Sequence, residues 1–243
     1  MKTKRTSTRA SGFTLVELLT VIAIVSVLAT LVVVTINKVR EAARGTQNLA
    51  NHRTIAAALL QSAYDNKGSL PYFDHGSSVK LSYPRYLAER GYVTDYRVFF
   101  SPKAGTWYDN YQGALRQPHI ATVVPWYFTN YGANRFGAMP HAQDDGSRKP
   151  AMLSRIEQPA KLMLLRDTYR AGYDSEAEPY GGGICFFSTL TNYVPPPEKT
   201  FGGKVHAAFA DGHVKAFDVS ELTRMASQPQ QEAPLFRDQY TRN

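Results

Sequence analysis

The chain has 243 residues, of which 43% are hydrophobic and 12% aromatic, and its formal net charge is +8. These are globular values, which exclude wholesale disorder, and the mean hydropathy of −0.34 excludes a polytopic membrane protein. The single cysteine, Cys185, excludes an intramolecular disulfide and any zinc site built from two or more thiolates.

The positive charge is concentrated at the N-terminus. Residues 1–12 contain Lys2, Lys4, Arg5 and Arg9 and no acidic residue, so they hold half of the net charge of +8. The rest of the chain is only mildly basic and shows no basic stripe. A short basic run before an apolar segment is typical of a membrane topology signal. We therefore assign residues 1–12 to a basic leader and expect no nucleic-acid partner.

An uncharged apolar segment follows the leader, from Leu18 to Ile36. As a helix its 19 residues would be about 28 Å long, which matches the roughly 30 Å hydrocarbon core of a bilayer. The segment is longer than the apolar region of a secretory signal peptide. A plain membrane anchor explains this length but not Glu17, whose carboxylate indicates a function unless it stays solvated at the interface. We predict a transmembrane and assembly helix over residues 13–36.

The same helix is predicted to continue as an amphipathic helix over residues 37–66. Mostly small and apolar residues recur every three or four positions, which predicts a face that packs against a head domain. This stripe, which is interrupted at Arg53, consists of Val39, Ala42/Ala43, Thr46, Leu49/Ala50, Ala56/Ala57, Leu60 and Ala63/Tyr64. Gly45 is a weak point at which the helix could bend, and Gly68 and Pro71 are stop signals.

Residues 67–226 are predicted to form a head in which short β-rich runs alternate with turn residues. This pattern favours an α+β fold: a long N-terminal helix packed on an antiparallel β-sheet. A short helix is expected at Pro84–Gly91, and the polar residues 227–243 predict a loose tail. The β-rich runs are Arg97–Phe100, His119–Trp126, Leu162–Leu165, Gly183–Phe187 and Val205–Phe217.

The last of these runs predicts a β-hairpin. Asp211-Gly212 stands between two apolar stretches, and an Asp-Gly pair suits a two-residue type I′ turn. That turn would place Phe209 opposite Val214 and Ala207 opposite Ala216. The role expected for Asp211 and Gly212 is turn geometry rather than chemistry.

The sequence offers no catalytic constellation. Walker, GxSxG, HExxH and GxGxxG motifs are absent, and the six histidines show no metal-ligand spacing. We therefore predict that the chain is not an enzyme and has no metal ligands, and a tethered hydrolase has no residues to support it. The 15 tyrosines, Tyr131 and Tyr169 among them, could bind a glycan or a protein, although covering a small sheet domain is the simpler explanation.

The N-terminal residues carry a family resemblance. Gly12-Phe13-Thr14-Leu15-Val16-Glu17-Leu18 before a long apolar helix resembles the prepilin signature of type IV pilins and type II secretion pseudopilins. The resemblance implies that a membrane peptidase cuts between Gly12 and Phe13 and methylates the new amine of Phe13. It also implies that Glu17 pairs with the amine of a neighbouring subunit. Two charges that would each be costly to bury would then satisfy each other.

The C-terminal part resembles a prepilin-like family described by an H-x9-DG motif. Asp211-Gly212 matches the end of that motif, but Phe201 stands where the family name expects histidine. Some pseudopilins bind calcium through loop oxygens, so Asp144, Asp145 and Asp211 are the residues to consider for that ion. No other cofactor is expected.

These resemblances predict a structural subunit of a type IV pilus or a type II secretion pseudopilus. Its expected partners are a prepilin peptidase, other pilin or pseudopilin subunits, and the bacterial inner membrane. It would span that membrane once, with its head outside the cytoplasm. The alternative is a membrane-tethered binding module for a glycan or protein that forms no filament.

Overall fold

The computed structural model describes residues 14–73, 82–103, 129–135, 137–140, 149–169, 186–187 and 193–227. These residues fall into two compact units, divided after Ala42. The helices are α1 (Leu15–Asp65), α2 (Tyr83–Glu89) and α3 (Val219–Ser227), with short 3₁₀ turns at Tyr96–Phe99, Leu153–Arg155 and Pro197–Lys199. The strands are β1 (Tyr131–Asn134), β2 (Met163–Asp167), β3 (Phe186–Phe187), β4 (Lys204–Phe209) and β5 (Val214–Asp218).

Helix α1 is continuous over 51 residues and passes through Gly45 without a break. Its end uses the predicted stop signal. Lys67 and Gly68 both have positive φ values, 54° and 85°, and the N–H of Gly68 donates to the carbonyl of Ala63 at 2.7 Å. This bond, which spans five residues, is typical of a Schellman motif; its left-handed C′ residue is Lys67, one residue before the predicted Gly68, which continues at positive φ without a Cβ.

In the first unit, every described side chain of α1 from Leu15 to Arg40 is exposed. The apolar members include Leu15 at 78% and Val27 at 62%. The helix is long and apolar enough to cross a membrane once. Side chains of this kind need an apolar environment, which the first unit does not provide from its own residues.

The second unit is built on a sheet with strand order β3-β1-β2-β4-β5. The neighbours β1–β2, β2–β4 and β4–β5 are antiparallel, while β3 adds to the edge of β1 in parallel. The predicted α+β architecture with an antiparallel sheet is confirmed. The edge strand β3 falls in the predicted run Gly183–Phe187, but its parallel pairing with β1 was not predicted.

The two faces of the sheet cover two hydrophobic clusters. Alternation along β4 sends Val205, Ala207 and Phe209 to the cluster that includes Phe217 and α3. Ala208 belongs to the other cluster, together with residues of α1 and α2 such as Ile55, Leu59 and Tyr83. Helix α3 falls mostly at the end of the predicted head, and residues 228–243 of the predicted tail lie outside the described residues.

The buried face of α1 in the second unit overlaps the predicted stripe only in part. Ala56 and Ala63 are buried, whereas Tyr64 is 72% exposed and Arg53, at the predicted interruption, is exposed. The stripe left out the polar residues Asn48 and His52, which are fully buried because their side chains contact Asp167 of the sheet.

Among the β-rich runs, Leu162–Leu165, Gly183–Phe187 and Val205–Phe217 overlap observed strands. Arg97–Phe100 was wrong, because the Asp95 side chain accepts a hydrogen bond from the Arg97 N–H and caps a 3₁₀ turn instead. His119–Trp126 lies outside the described residues. The expected short helix at Pro84–Gly91 forms as α2.

The predicted hairpin forms, but its predicted register was wrong by one residue. Ala208 pairs with Val214 and Ala207 with Lys215, and the Phe209 N–H donates to the His213 carbonyl at 3.0 Å. The loop therefore has three residues, and only Gly212 has positive φ (88°). A type I turn followed by a left-handed glycine replaces the type I′ turn. The one-residue shift moves each partner residue to the other face.

Candidate functional site

The processing residues Gly12 and Phe13 lie outside the described residues, which begin at Thr14. The third predicted residue of this segment, Glu17, forms a capping box with Thr14. The Thr14 N–H and hydroxyl donate to Glu17 Oε2 at 2.9 and 2.8 Å, and the Glu17 N–H donates to Thr14 Oγ1 at 3.2 Å. These bonds satisfy donors that the first helical turn leaves open. Glu17 is thus held at the very start of α1, on an exposed surface.

The apolar segment of α1 satisfies its own hydroxyl groups. Thr20 donates to the Glu17 carbonyl at 2.9 Å, Ser26 to Ile22 at 2.7 Å and Thr30 to Ser26 at 2.9 Å. Thr35 likewise donates to carbonyls of the preceding turn. A hydroxyl bonded within its own helix can enter lipid or a helix interface without leaving a donor unsatisfied.

The predicted turn residues Asp211 and Gly212 lie at the exposed tip of the β4–β5 hairpin. Asp211 Oδ1 accepts from the His213 N–H at 3.0 Å and lies 2.6 Å from His213 Nδ1. Partial burial raises the pKa of Asp211, but the hydrogen bonds and charge of His213 outweigh it and leave the pKa below its ordinary value. The His213 ring in turn stacks on Phe209, with 4.3 Å between centroids. The Asp211 carboxylate therefore contacts a residue of its own turn, as expected of a residue that shapes the turn.

The calcium hypothesis stays a prediction. Asp144 and Asp145 lie outside the described residues, and Asp211 is engaged with His213. Within the ranges that the structure describes, no group of three or more His, Cys, Asp or Glu residues could hold a metal ion.

The tyrosines expected to bind a partner differ in placement. Tyr131 is fully buried and belongs to the polar cluster described below. Tyr169 is half-buried, and the Lys199 ammonium lies 5.8 Å from its ring centroid. The remaining loop tyrosines of that prediction lie outside the described residues.

Phe201 occupies the position at which the H-x9-DG motif has histidine. Its ring centroid lies 5.5 Å from that of His206, and a Cβ built on Gly45 would lie 3.6 Å from Phe201 Cβ. Lys103 places its ammonium 5.1 Å from the ring centroid. Phe201 therefore acts as a packing residue between α1 and β4.

A buried polar cluster joins α1 to the sheet, and the sequence did not predict it. Its members are Asn48 and His52 from α1, Tyr131 from β1, Asp167 from β2 and His206 from β4, all at most 6% exposed. Asp167 lies at its centre. Oδ1 accepts from Asn48 Nδ2 at 2.9 Å and lies 2.8 Å from His52 Nε2, while Oδ2 accepts from the His206 N–H at 2.7 Å.

Asn48 connects the rest of the cluster. Its Oδ1 accepts from the Tyr131 hydroxyl at 2.7 Å, so its Nδ2 faces Asp167 and lies 2.8 Å from His206 Nδ1. The Tyr131 hydroxyl in turn accepts from Asn51 Nδ2 at 3.0 Å. A buried polar network of this kind holds its partners in one arrangement, because each unmade bond would leave a desolvated group.

The Asp167 carboxylate is stabilised in its ionised form. Burial raises its pKa, but its contacts with His52 and His206, hydrogen bonds among them, outweigh burial and hold the pKa well below its usual range. Burial lowers the pKa of the adjacent Arg166 to about 9, although the Asp167 carboxylate works against this. Arg166 and Asp167 are therefore both charged at neutral pH. One signal in the sequence could have indicated the cluster: Asn48 and His52 are one helical turn apart and share a face.

Comparison with known proteins supports the N-terminal assignment. Residues 7–33 match the family model described as the prokaryotic N-terminal methylation motif. The match spans the Gly12–Phe13 bond, Glu17 and most of the apolar segment, but not the head. No curated protein and no solved structure matches the chain significantly.

The N-terminus therefore carries a prepilin-type motif, and the long N-terminal helix with a small antiparallel sheet fits a pilin-like protein. A motif of this type indicates a structural subunit. The resemblance predicted for the N-terminus is confirmed, whereas the H-x9-DG resemblance stays a prediction.

Proposed function

We propose that this chain is a prepilin-like structural subunit. A prepilin peptidase would cut it between Gly12 and Phe13 and methylate the amine of Phe13. The processed chain would then assemble through α1 into a type IV pilus or a type II secretion pseudopilus. The observation that carries the proposal is the match of residues 7–33 to the methylation motif.

The exposed apolar surface of α1 supports this proposal. From Leu15 to Ile36 large apolar side chains face outward on all sides of the helix, and the hydroxyl groups between them are bonded internally. Such a helix suits lipid before assembly and a bundle of identical helices afterwards, because both environments are apolar. The head would lie outside the cytoplasm, and the basic leader would stay on the cytoplasmic side of the inner membrane.

Glu17 has a second role in this proposal. Cleavage before Phe13 would create a charged amine four residues from Glu17. In a filament, the amine of one subunit could pair with Glu17 of the next and so set the axial register. A repeated head-to-tail contact of this type generates a helical filament rather than a closed ring.

The test of assembly is a comparison of Glu17→Ala with wild type in native cells. We expect the variant to reach the membrane and to be processed, but to be missing from sheared surface filaments. Thr20→Ala, one turn further along α1, is the matched control and should assemble normally. Normal filaments from Glu17→Ala would contradict the role of Glu17 in assembly. Absence of the wild-type chain from filaments would contradict assembly itself and favour a membrane-tethered binding module, in which the anchor is used but no filament forms.

A further inference from the structure

The contact between Asn48 and His206 carries an inference about the head alone, independent of filament assembly. It is a buried link between α1 and β4, with 2.8 Å between Asn48 Nδ2 and His206 Nδ1. Both side chains are at most 4% exposed. Whether the link exists depends on where the proton of the His206 ring lies.

The orientation of Asn48 is fixed by its other partners. Its Oδ1 accepts from the Tyr131 hydroxyl, and its Nδ2 donates to Asp167 Oδ1. A flipped amide would point its oxygen at the Asp167 carboxylate, where two acceptors would face each other. Asn48 therefore presents an N–H to His206 Nδ1, and this nitrogen must be an acceptor without a proton.

Protonation of His206 would remove that acceptor. Two donors, Asn48 Nδ2 and His206 Nδ1, would then face each other across 2.8 Å. The nearby anionic acceptor is Asp167 Oδ2, which lies 3.5 Å from His206 Nδ1. A protonated ring therefore gains by turning from Asn48 on the helix to Asp167 on the neighbouring strand.

The neighbouring His52 is a poor alternative site for the proton. It is fully buried, and its Nδ1 has no hydrogen-bond partner within the described residues. A proton on that nitrogen would therefore be a buried donor without an acceptor. Titratable and charged groups surround His206 on each packed element. They are His52 on α1, Tyr131 on β1, and Arg166 and Asp167 on β2. Lys103 is also near, because its ammonium lies over the ring of Phe201, which neighbours the His206 ring.

We propose that His206 is a proton-dependent switch that exchanges its partner between Asn48 and Asp167. With the ring neutral, the His206 side chain is bonded to Asn48 of α1. With the ring protonated, it is bonded to Asp167 of β2, and the Asn48–His206 link between α1 and β4 is lost. The consequence in the cell rests on the proposed topology: a head outside the cytoplasm meets the pH of the surroundings, and acid would loosen its hold on the helix.

The test is hydrogen exchange of the full chain in detergent micelles, followed by mass spectrometry between pH 7.5 and 5.0. After correction for the intrinsic pH dependence of exchange, we expect residues 44–56 to lose protection as the pH falls across this range, by up to about tenfold per pH unit. That slope corresponds to one proton taken up on opening. Unchanged protection in this segment would overturn the proposal.

Two variants separate the switch from general acid sensitivity. In His206→Asn, the amide Oδ1 stands where Nδ1 stood and can accept from Asn48, but it cannot titrate; we expect neutral-pH protection to be kept and the acid loss to disappear. His213→Asn is the matched control, because His213 also contacts an aspartate, at 2.6 Å, but is exposed. This control should behave as wild type, and a persistent acid loss in His206→Asn would overturn the proposal.

A measurement on the wild-type chain decides the matter if His206→Asn does not fold. Long-range ¹⁵N correlation spectra distinguish the two ring nitrogens of a histidine. We expect His206 at pH 7.5 to be neutral, with its proton on Nε2. A proton on Nδ1 at that pH, whether in the other tautomer or in the charged ring, would contradict the proposed switch.

Discussion

His52 Nε2 lies 2.8 Å from Asp167 Oδ1, which joins two buried side chains that are 115 residues apart in the sequence. Asp167 also accepts hydrogen bonds from Asn48 and from the backbone of His206. One carboxylate on β2 thus accepts hydrogen bonds from both α1 and β4. The head is held to its helix by this polar cluster as well as by apolar packing.

Replacing Asp167 should destabilise the head strongly. Asp167→Asn removes the negative charge but keeps the shape, and it takes an acceptor from buried donors of Asn48, His52 or the His206 backbone. Leaving several buried donors without their acceptor costs about 3 kcal/mol or more of unfolding free energy. Urea unfolding of the full chain in detergent micelles, followed by near-ultraviolet circular dichroism, measures this loss.

The control for this prediction is Asp211→Asn, in which a half-exposed carboxylate also contacts a histidine. Its effect should stay within about 1 kcal/mol, as for other surface pairs. Because the pKa of Asp167 is held below its usual range, its contribution is fully present above about pH 4. It is lost as the pH falls through the folded pKa. Equal losses in the two variants at pH 7 would contradict a central role for Asp167.

Asn48→Ala should also weaken the head. The substitution removes the amide that bridges Asp167, His206 and Tyr131. An unsatisfied buried partner costs about 1–3 kcal/mol, so we expect a loss of about 2 kcal/mol in the same urea experiment. Thr54→Ala, on the exposed side of α1, is the control and should change stability by less than about 0.5 kcal/mol. A loss in Asn48→Ala no larger than that of the control would argue against the cluster.

Gly212→Ala should destabilise the β4–β5 hairpin. Gly212 has a φ of 88°, and an L-residue in the left-handed region costs about 1–2 kcal/mol. The new methyl group itself fits, since the nearest atom, Leu60 Cδ1, lies 3.6 Å from the built Cβ. The free energy of unfolding reports this change. A neutral result would mean that the hairpin does not use the left-handed glycine.

Gly45→Ala should have the opposite sign. Gly45 lies inside α1, where glycine is less favourable than alanine by about 0.5–1 kcal/mol. The built Cβ would lie 3.6 Å from Phe201 Cβ, which is ordinary van der Waals contact. We expect the variant to be more stable by this amount in thermal or urea unfolding. Destabilisation would show that Phe201 packs closer to the helix backbone than the structure has it.

The long helix and its apolar segment could be predicted because their signals are local. A charge-free run, a basic leader and a glycine stop signal each act within a few residues. The hairpin was predicted for the same reason. Its register was missed because Asp211-Gly212 fits both a two-residue loop and the end of a three-residue loop, and pairing with β2 and α1 decides between them.

The polar cluster could not be predicted as a whole, because a local pattern connects only Asn48 and His52, which are one helical turn apart. Asn48, His52, Asp167 and His206 meet only after β2 and β4 pair and α1 lies across them. Strand β1 was also missed. Its residues, Tyr131 to Asn134, include no β-branched residue, and the strand is fixed by its neighbours rather than by propensity.

The mature N-terminus is the measurement that tests the central claim most directly. The protein is taken from native membranes and digested, and its N-terminal peptide is identified by mass spectrometry. Gly12→Val is the variant that should block cleavage, and Ser11→Ala is its matched control. We predict a peptide that begins at N-methylated Phe13 in the wild type and in Ser11→Ala, and an uncut chain in Gly12→Val. An intact leader in the wild type, or a cut beyond Ile36, would contradict prepilin processing and with it the proposed assembly.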